Sequence, residues 1–433
     1  MRVEVWGARG SVPSSHAGNV RYGGNTSCVE IRTRSNDHII LDAGTGIRRL
    51  GVRMLKGLEE IAELEEKVDF VVEGFLQNIK SEKSEPLKAL EGTIEYGNDI
   101  HLFLSHFHWD HIQGFPFFIP AYIPGKKLNI YGQLKTDHRI YDVLRGQMGG
   151  TYFPADMDRD MGAEKFFHEI VEDTFRIGDA IVTSRYLNHP QGCLGYRVQC
   201  GEMVVAYCTD SEHAEGSFDD NILELADGAD IFFYDCQYTP DEYEAKRGWG
   251  HSTWEQGIKL AREARAEKLV MFHHDPEHDD DFISRMEKEA RKHFPNLIAA
   301  HEGMVLADFP ENATPDPEGL IEYGAHEEKE TSITKNADIL KVECGANLET
   351  LAAGHVWEKL YSYFHQGITK VIFDCRNVRD ASGKGLVALA DTIRIASDSR
   401  VETEIFNTNR VLLRKLDIAR FGQVTTLPRK TDF

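Results

Sequence analysis

Three imidazoles and a carboxylate fall within six residues at His106-Phe107-His108-Trp109-Asp110-His111. The apolar run 100–104 before them reads as a strand. Ile112-Gln113-Gly114-Phe115-Pro116 after them reads as a turn into a new element. The cluster therefore sits on a loop at a strand end, where a sheet can hold side chains in a fixed constellation. Imidazole with carboxylate suits divalent transition metals such as zinc, manganese or iron. Four ligands this close do not fit one tetrahedral ion. They can divide between two neighbouring ions, two His on one and Asp with His on the other. The pattern recurs downstream, where apolar strands at 180–187, 203–207 and 269–272 run out into His189, Asp210 and His273. A fold that stacks sheets with these exits on one edge would gather the ligands.

The rest of the chain frames that cluster. Residues 1–50 read as β-rich, with a hairpin of strands 28–33 and 37–41 around Arg34-Ser35-Asn36. Asp42 reads as a turn-former closing the second strand. Within 52–97, Leu55, Leu58, Ile61, Ala62, Leu64 and Val68 keep helical spacing among Glu and Lys. This predicts a helical insertion that caps the site, makes a homodimer contact or lies as a solvated amphipathic cover. Residues 115–124 are aromatic and proline-punctuated, as core or as a pocket wall. Ser252-Thr253-Trp254-Glu255 predicts a capping box opening a helix to about Ala266, and 281–293 a further helix. Residues 309–335, with Pro310, Pro315, Pro317 and a charge run at 327–330, read as a linker. Beyond it, strands at 338–342, 371–374 and 402–406 alternate with helices at 348–364, 382–397 and 410–419. That alternation predicts a small α/β domain over 336–433.

Charge bears on the substrate. The formal net charge is −22. Residues 336–433 hold 14 basic and 12 acidic side chains, which leaves 35 against 59 in residues 1–335, a net of −24. An acidic body is a poor platform for long nucleic acids. Bound metals would offset the field locally and admit a small phosphorylated substrate. Seven scattered cysteines without a Cys-x-x-Cys pair argue against a disulfide framework or a zinc ribbon. No apolar run approaches a membrane span, so no membrane partner is expected. The N-terminus opens on strand-like residues without a secretory h-region, and a cytoplasmic protein is expected.

The ordered set His106-x-His108-x-Asp110-His111, His189, Asp210 and His273 resembles the metallo-β-lactamase superfamily over roughly residues 1–308. The resemblance implies an α/β fold, an αββα sandwich with a two-metal site at one edge. It implies His106, His108 and His189 on one ion, Asp110, His111 and His273 on the other, and Asp210 bridging. His273 is preferred to the adjacent His274 because it directly follows its strand. Two divalent ions are the implied cofactors, zinc first, then manganese or iron. Gly7-Ala8-Arg9-Gly10-Ser11-Val12-Pro13, Gly23-Gly24-Asn25-Thr26-Ser27-Cys28 and Gly250-His251-Ser252-Thr253 resemble the phosphodiesterase branch, which includes RNase Z. By that likeness Asp110 and His251 are the catalytic candidates: Asp110 holds the hydroxide as well as a metal, and His251 meets the scissile phosphate. A helix start and two cations beside His251 predict a lowered pKa. That favours hydrogen bonding to phosphate over full proton donation.

The stretch Val371-Ile372-Phe373-Asp374-Cys375-Arg376-Asn377-Val378-Arg379-Asp380-Ala381-Ser382-Gly383-Lys384-Gly385 resembles a STAS domain, the fold of anti-sigma-factor antagonists. Asn407-Thr408-Asn409 and Leu416-Asp417-Ile418 extend the likeness. The phosphorylated Ser of that family falls on Ser382, which implies a serine kinase or an anti-sigma factor as partner. Phosphate at a helix start is electrostatically tolerated. Ala381 replaces a common Ser and Lys384 a usual apolar residue, and Ser382 also reads as a plain helix cap. The expected function is a two-metal phosphodiesterase for a small phosphodiester or cyclic nucleotide, regulated through the STAS domain. The alternatives are an RNase Z-like RNA nuclease and a non-catalytic metal-binding signalling scaffold.

Overall fold

A computed structural model of the chain describes residues 1–55, 99–135, 138–214, 216–308, 331–352, 354–364, 366–379, 381–419 and 425–428. The helical insertion predicted at 52–97, beyond residue 55, and the linker at 309–330 lie outside the described residues. The chain divides into two compact units. One comprises Met1–Gly132, Ile140–Phe167 and Thr174–Gly319; the other comprises Leu320–Phe433 with the short segments Gln133–Arg139 and His168–Asp173. The second unit thus takes in two pieces of chain that the sequence assigns to the first domain.

The strands in chain order are β1 (Arg2–Gly7), β2 (Cys28–Arg32), β3 (His38–Leu41), β4 (Asp99–Phe103), β5 (Lys127–Gln133), β6 (Glu164–Ile170), β7 (Thr174–Ile177), β8 (Ala180–Leu187), β9 (Cys193–Cys200), β10 (Met203–Cys208), β11 (Ile231–Asp235), β12 (Lys268–Phe272), β13 (Leu297–Ala299) and β14 (Val305–Ala307). They form two seven-stranded sheets, ordered β14-β1-β2-β3-β4-β5-β6 and β13-β12-β11-β10-β9-β8-β7. β11 (IFFYD) is buried at every position, as a parallel strand covered on both faces must be. β8 nearly alternates buried and half-buried residues, as expected of an antiparallel strand with one wet face.

Aromatic rings pack between the sheets. Phe103 stacks on Tyr131 at 4.2 Å and meets Tyr196 edge-on at 5.3 Å, while Tyr207 meets Phe272 at 5.5 Å. The Tyr196 hydroxyl donates to the Leu104 carbonyl at 2.6 Å and Leu194 N to the Ser105 carbonyl at 2.8 Å, tying β9 to the exit of β4. Outside one sheet, helices Trp254–Glu263 and Asp280–Arg291 bury Ile258, Leu260, Ile283 and Met286. Outside the other, helix Ile47–Arg53 buries Ile47 and Leu50 beside Phe115 and Phe118. The layers are αββα. The aromatic run 115–123 is mostly core, with Phe115, Phe118, Ile119 and Tyr122 buried.

One helix start differs from its predicted form. Ser252 with Glu255 does not make the cap. The Thr253 side chain accepts from Gln256 N instead, and the helix runs Trp254–Glu263. Ser252 is withdrawn into the interior, where its hydroxyl meets Tyr234 Oη at 2.9 Å and His213 Nδ1 at 2.8 Å. β7, β13 and β14 go unannounced in the sequence because each is only three or four residues long.

In the second unit β15 (Ser332–Asn336), β16 (Ile339–Glu343), β17 (Lys370–Asp374), β18 (Glu402–Thr408) and β19 (Thr425–Pro428) form a sheet in sequential order. β15 is antiparallel to β16 and the remaining neighbours are parallel. β15 begins inside the stretch read as linker; its residues are mostly exposed, so no apolar alternation marks it. The predicted helix 348–364 splits into a 3-10 turn, Leu348–Ala352, and a helix, Gly354–Phe364. Ser382 caps helix Gly383–Asp398 by accepting from Gly385 N, and its hydroxyl donates to Glu349. Among the described residues no helix is long and apolar enough to cross a membrane.

Candidate metal centre

The topology gathers the strand exits. β10, β11 and β12 are mutually parallel. β8 is antiparallel to β9 and β9 to β10, so β8 again runs with β10. Their exits carry His189, Asp210, Asp235 and His273 along one edge. In the facing sheet β3 and β4 are parallel, and their exits carry Asp42 and the cluster 106–111 to the same place. Three of these residues, Asp42, Asp210 and His273, hold positive φ of 65°, 52° and 62°, and Ser11 at the end of the β1 loop holds 62°. Left-handed backbone at a non-glycine residue costs about 1–3 kcal/mol and collects at working sites. Here it turns the side chain at a strand exit back across the edge.

The side chains named from the sequence meet in two groups. His106, His108, His189 and Asp210 each offer a ligand atom within 4.8 Å of the others, and Asp110, His111 and His273 form a second such group. Asp210 faces both: Oδ1 lies 3.8 Å from His106 Nε2, and Oδ2 lies 3.2 Å from His111 Nε2 and 3.3 Å from His273 Nε2. Asp110 Oδ2 lies 3.2 Å from His111 Nε2 and 3.1 Å from His273 Nε2. His274 points elsewhere. Its Nε2 donates to the Ala300 carbonyl at 2.9 Å, and burial, then the nearby Arg9 charge, drop its pKa to about 3.

Most of these imidazoles are held from behind. His111 Nδ1 meets Asp42 Oδ2 at 2.8 Å, His189 Nδ1 the Gly250 carbonyl at 3.0 Å, and His273 Nδ1 Gln237 Oε1 at 2.9 Å. His106 Nδ1 meets Ser105 Oγ at 3.1 Å, and that hydroxyl donates to Asp42. Ser105 N and the Tyr207 hydroxyl also bond Asp42, at 2.7 and 2.8 Å. Such partners fix tautomer and ring orientation in metal sites. Two glycines allow the close approach. A Cβ on Gly10 would fall 2.4 Å from the His273 ring, and one on Gly250, at φ +90°, 2.3 Å from His189 Nδ1.

This wiring tests whether the residues fit a cation. With Nδ1–H spent on an oxygen acceptor, Nε2 of His111, His189 and His273 presents a lone pair. His108 turns Nδ1 inward, because its Nε2 meets Gln191 Oε1 at 3.0 Å. His106 Nε2 is buried and has no hydrogen-bond partner among the described residues. Lone pairs and carboxylates converging at 3.1–3.4 Å are stable only around positive charge. Protons alone can supply some of it: burial opposes charging His111, but Asp110, Asp210 and Asp42 outweigh it and raise its pKa well above the usual range. The donor set, imidazole with carboxylate, is that of divalent zinc, manganese or iron.

His251 belongs to a third such group with Asp210, Asp235 and His273, its Nδ1 2.8 Å from Asp235 Oδ2 and 3.7 Å from Asp210 Oδ1. Burial favours the neutral ring, but Asp235, then Asp210 and Asp110, lift its pKa to about 9. This opposes the lowering expected from the helix start and two cations: Asp235, which had no assigned role in the sequence, is the first of the charged groups that raise it. Asp235 is itself held, Oδ1 accepting from Gln237 N at 3.1 Å and Ser252 N at 3.3 Å. A cleft of about 490 Å³ opens over the centre, lined by Ser11, Phe107, His108, Trp109, Asp110, Asp210 and His251. Ser11 N donates to Asp110 Oδ2 at 2.7 Å. Ser382 belongs to the other unit and lies outside this set.

Comparison with known proteins follows the same lines. Residues 55–274, just over half the chain, match the model of the beta-lactamase superfamily domain. The chain is 25% identical over 255 residues to ribonuclease BN of Salmonella paratyphi C, covering 47% of this chain and 80% of that protein. It is 32% identical over 101 residues to ribonuclease Z of Azobacteroides pseudotrichonymphae, covering 23% and 32%, so that match spans only about a third of the relative. Among solved structures, the short form of human tRNase Z aligns at 18% identity and a TM-score of 0.45, over 71% of this chain and 99% of that one. A diphosphatase of the PhnP family aligns at 17% and 0.46, over 71% and 98%. The matched span holds both ligand groups, Asp235 and His251, and the chain belongs to the beta-lactamase superfamily.

Proposed function

We propose that the protein is a two-metal phosphodiesterase acting on a small phosphodiester. Two divalent ions, one with His106, His108 and His189, one with Asp110, His111 and His273, and Asp210 between them, would supply hydroxide near neutral pH and offset charge on the phosphate. The observation that carries the reading is the Asp235–His251 pair, which faces the cleft beside Asp210. Asp235 holds Nδ1–H, so Nε2 can donate to substrate only when the ring carries its second proton. Asp235, then Asp210 and Asp110, favour that second proton. His251 thereby offers a charged hydrogen bond to a phosphoryl oxygen and a proton for the departing alkoxide. Asp110, pinned through Oδ2 by Ser11 N–H, orients the attacking water. Purified protein supplied with manganese or zinc is expected to hydrolyse bis(p-nitrophenyl) phosphate, and His108→Ala to reduce this to background. Unchanged turnover in that variant would reject the reading.

A second reading is RNA 3′ processing, favoured by the alignment with ribonuclease BN over four-fifths of that protein. The net charge of −24 on residues 1–335 and the lack of Lys or Arg among the described residues lining the cleft count against it. Precursor tRNA incubated with the metal-loaded enzyme separates the two. The second unit we read as a STAS-like regulatory domain, supported by its sequential sheet and by Ser382 at the start of helix Gly383–Asp398. Pull-downs with wild type and Ser382→Asp are expected to recover different partners, an anti-sigma factor or serine kinase among them. Identical partners would count against a phosphoswitch.

A further inference from the structure

The cleft has an aromatic side that the hydrolytic chemistry leaves unused. Phe107 and Trp109 flank the metal-facing His108 and both line the cleft. Phe107 is anchored: it is partly buried against the core, and its ring lies so close to Gly132 that a Cβ there would be 3.2 Å from Cε1. Trp109 is the opposite case. It is 78% exposed, although its backbone opens the short helix Trp109–Ile112 that also carries Asp110 and His111. Because it lines the cleft beside the polar site, the exposed indole offers a flat apolar face on which a planar ring can stack. Its position relative to the candidate ligands is set by that helix turn, so a ring resting on it would be indexed to the scissile bond.

Charge and size narrow the occupant. Among the described residues that line the cleft there is no Lys or Arg to compensate anionic charge beyond the phosphate itself. A volume of about 490 Å³ suits one small molecule and not a run of nucleotides. Resting on the phosphodiesterase reading, we propose that the substrate is a phosphodiester whose ester group bears one planar aromatic ring, a nucleobase or an aryl group, stacked on Trp109. Trp109 is then the specificity-determining residue of the site.

The test uses the full-length, metal-loaded protein, as wild type, Trp109→Ala and Trp109→Phe. Substrates are adenosine and uridine 2′,3′-cyclic phosphates, phenyl methyl phosphate, and the ring-free methyl ribofuranoside 2′,3′-cyclic phosphate. The readout is kcat/KM for each ring-bearing substrate divided by that for the ring-free one. Stacking of this kind predicts that Trp109→Ala lowers the ratio by roughly 5- to 150-fold, and that Trp109→Phe restores part of it. The nucleoside and phenyl arms tell which ring the site takes. A ratio near one in wild type, or one that Trp109→Ala does not change, overturns the proposal. If wild type turns over none of the substrates, the phosphodiesterase reading fails instead. Calorimetry with adenosine 5′-phosphate and ribose 5-phosphate then decides the platform: tighter binding of the adenosine compound, lost in Trp109→Ala, supports it, and equal binding overturns it.

Discussion

Asp210→Asn is expected to leave the protein folded, strip at least one of the two proposed metals and bring turnover to background. Asp210 is the carboxylate whose two oxygens face both imidazole groups, Oδ1 toward His106 and Oδ2 toward His111 and His273. It is 1% exposed, so water cannot substitute for it easily. Loss of even an outer partner of a metal ligand lowers affinity about 10–100-fold, and loss of a bridging charge should exceed that. Asn is the informative replacement. Asp210 sits at φ 52°, where Asn is tolerated and Ala is strained, so the amide separates loss of charge from loss of backbone geometry. Metal content by atomic emission, alongside thermal melts and turnover, checks the outcome. Two metals per chain with undiminished turnover in Asp210→Asn would remove the bridging role.

The sequence carries the parts of the site that announce themselves by residue type after an apolar strand. His106, His108, His189, Asp210 and His273 are legible that way because each follows its strand within a few residues. It could not say that the exits share an edge, since this depends on two antiparallel steps between β8 and β10 and on the parallel run β10–β12. The supporting residues were harder to see. Asp42 and Asp235 look like residues that end strands, and nothing local distinguishes a turn-former from a carboxylate aimed at an imidazole 69 residues along the chain, or 16. A signal did exist: Asp42 and Asp235 also follow apolar strands, so the rule that found Asp210 would have found both. Gln237 offers no such signal; its contact with His273 arises only from the return of β12 beside β11. The helix cap moved from Ser252 to Thr253 for the same kind of reason. Tyr234 and His213 claim the Ser252 hydroxyl from elements distant in sequence.

Asp235→Asn separates proton donation by His251 from simple hydrogen bonding. In the wild type the carboxylate accepts Nδ1–H through Oδ2, while Oδ1 accepts from Gln237 N and Ser252 N. An asparagine there keeps its oxygen on the two backbone N–H groups and turns its NH₂ toward His251. The ring must then accept at Nδ1 and carry its one proton at Nε2. It remains a neutral donor to the cleft but can no longer take a second proton, which would face the amide donor. His251, lifted to about 9 in the wild type, keeps its charged form below that pH and loses it above, so wild-type kcat/KM should fall on the alkaline side. In Asp235→Asn the contribution of His251 to that alkaline fall should disappear. Activity near pH 7 should drop by about 10²–10⁴-fold, the usual worth of a positioned acid, with metal content preserved. A pH profile matching wild type, with activity within about threefold, would mean that a neutral hydrogen bond suffices and that Asp235 serves only to orient the ring.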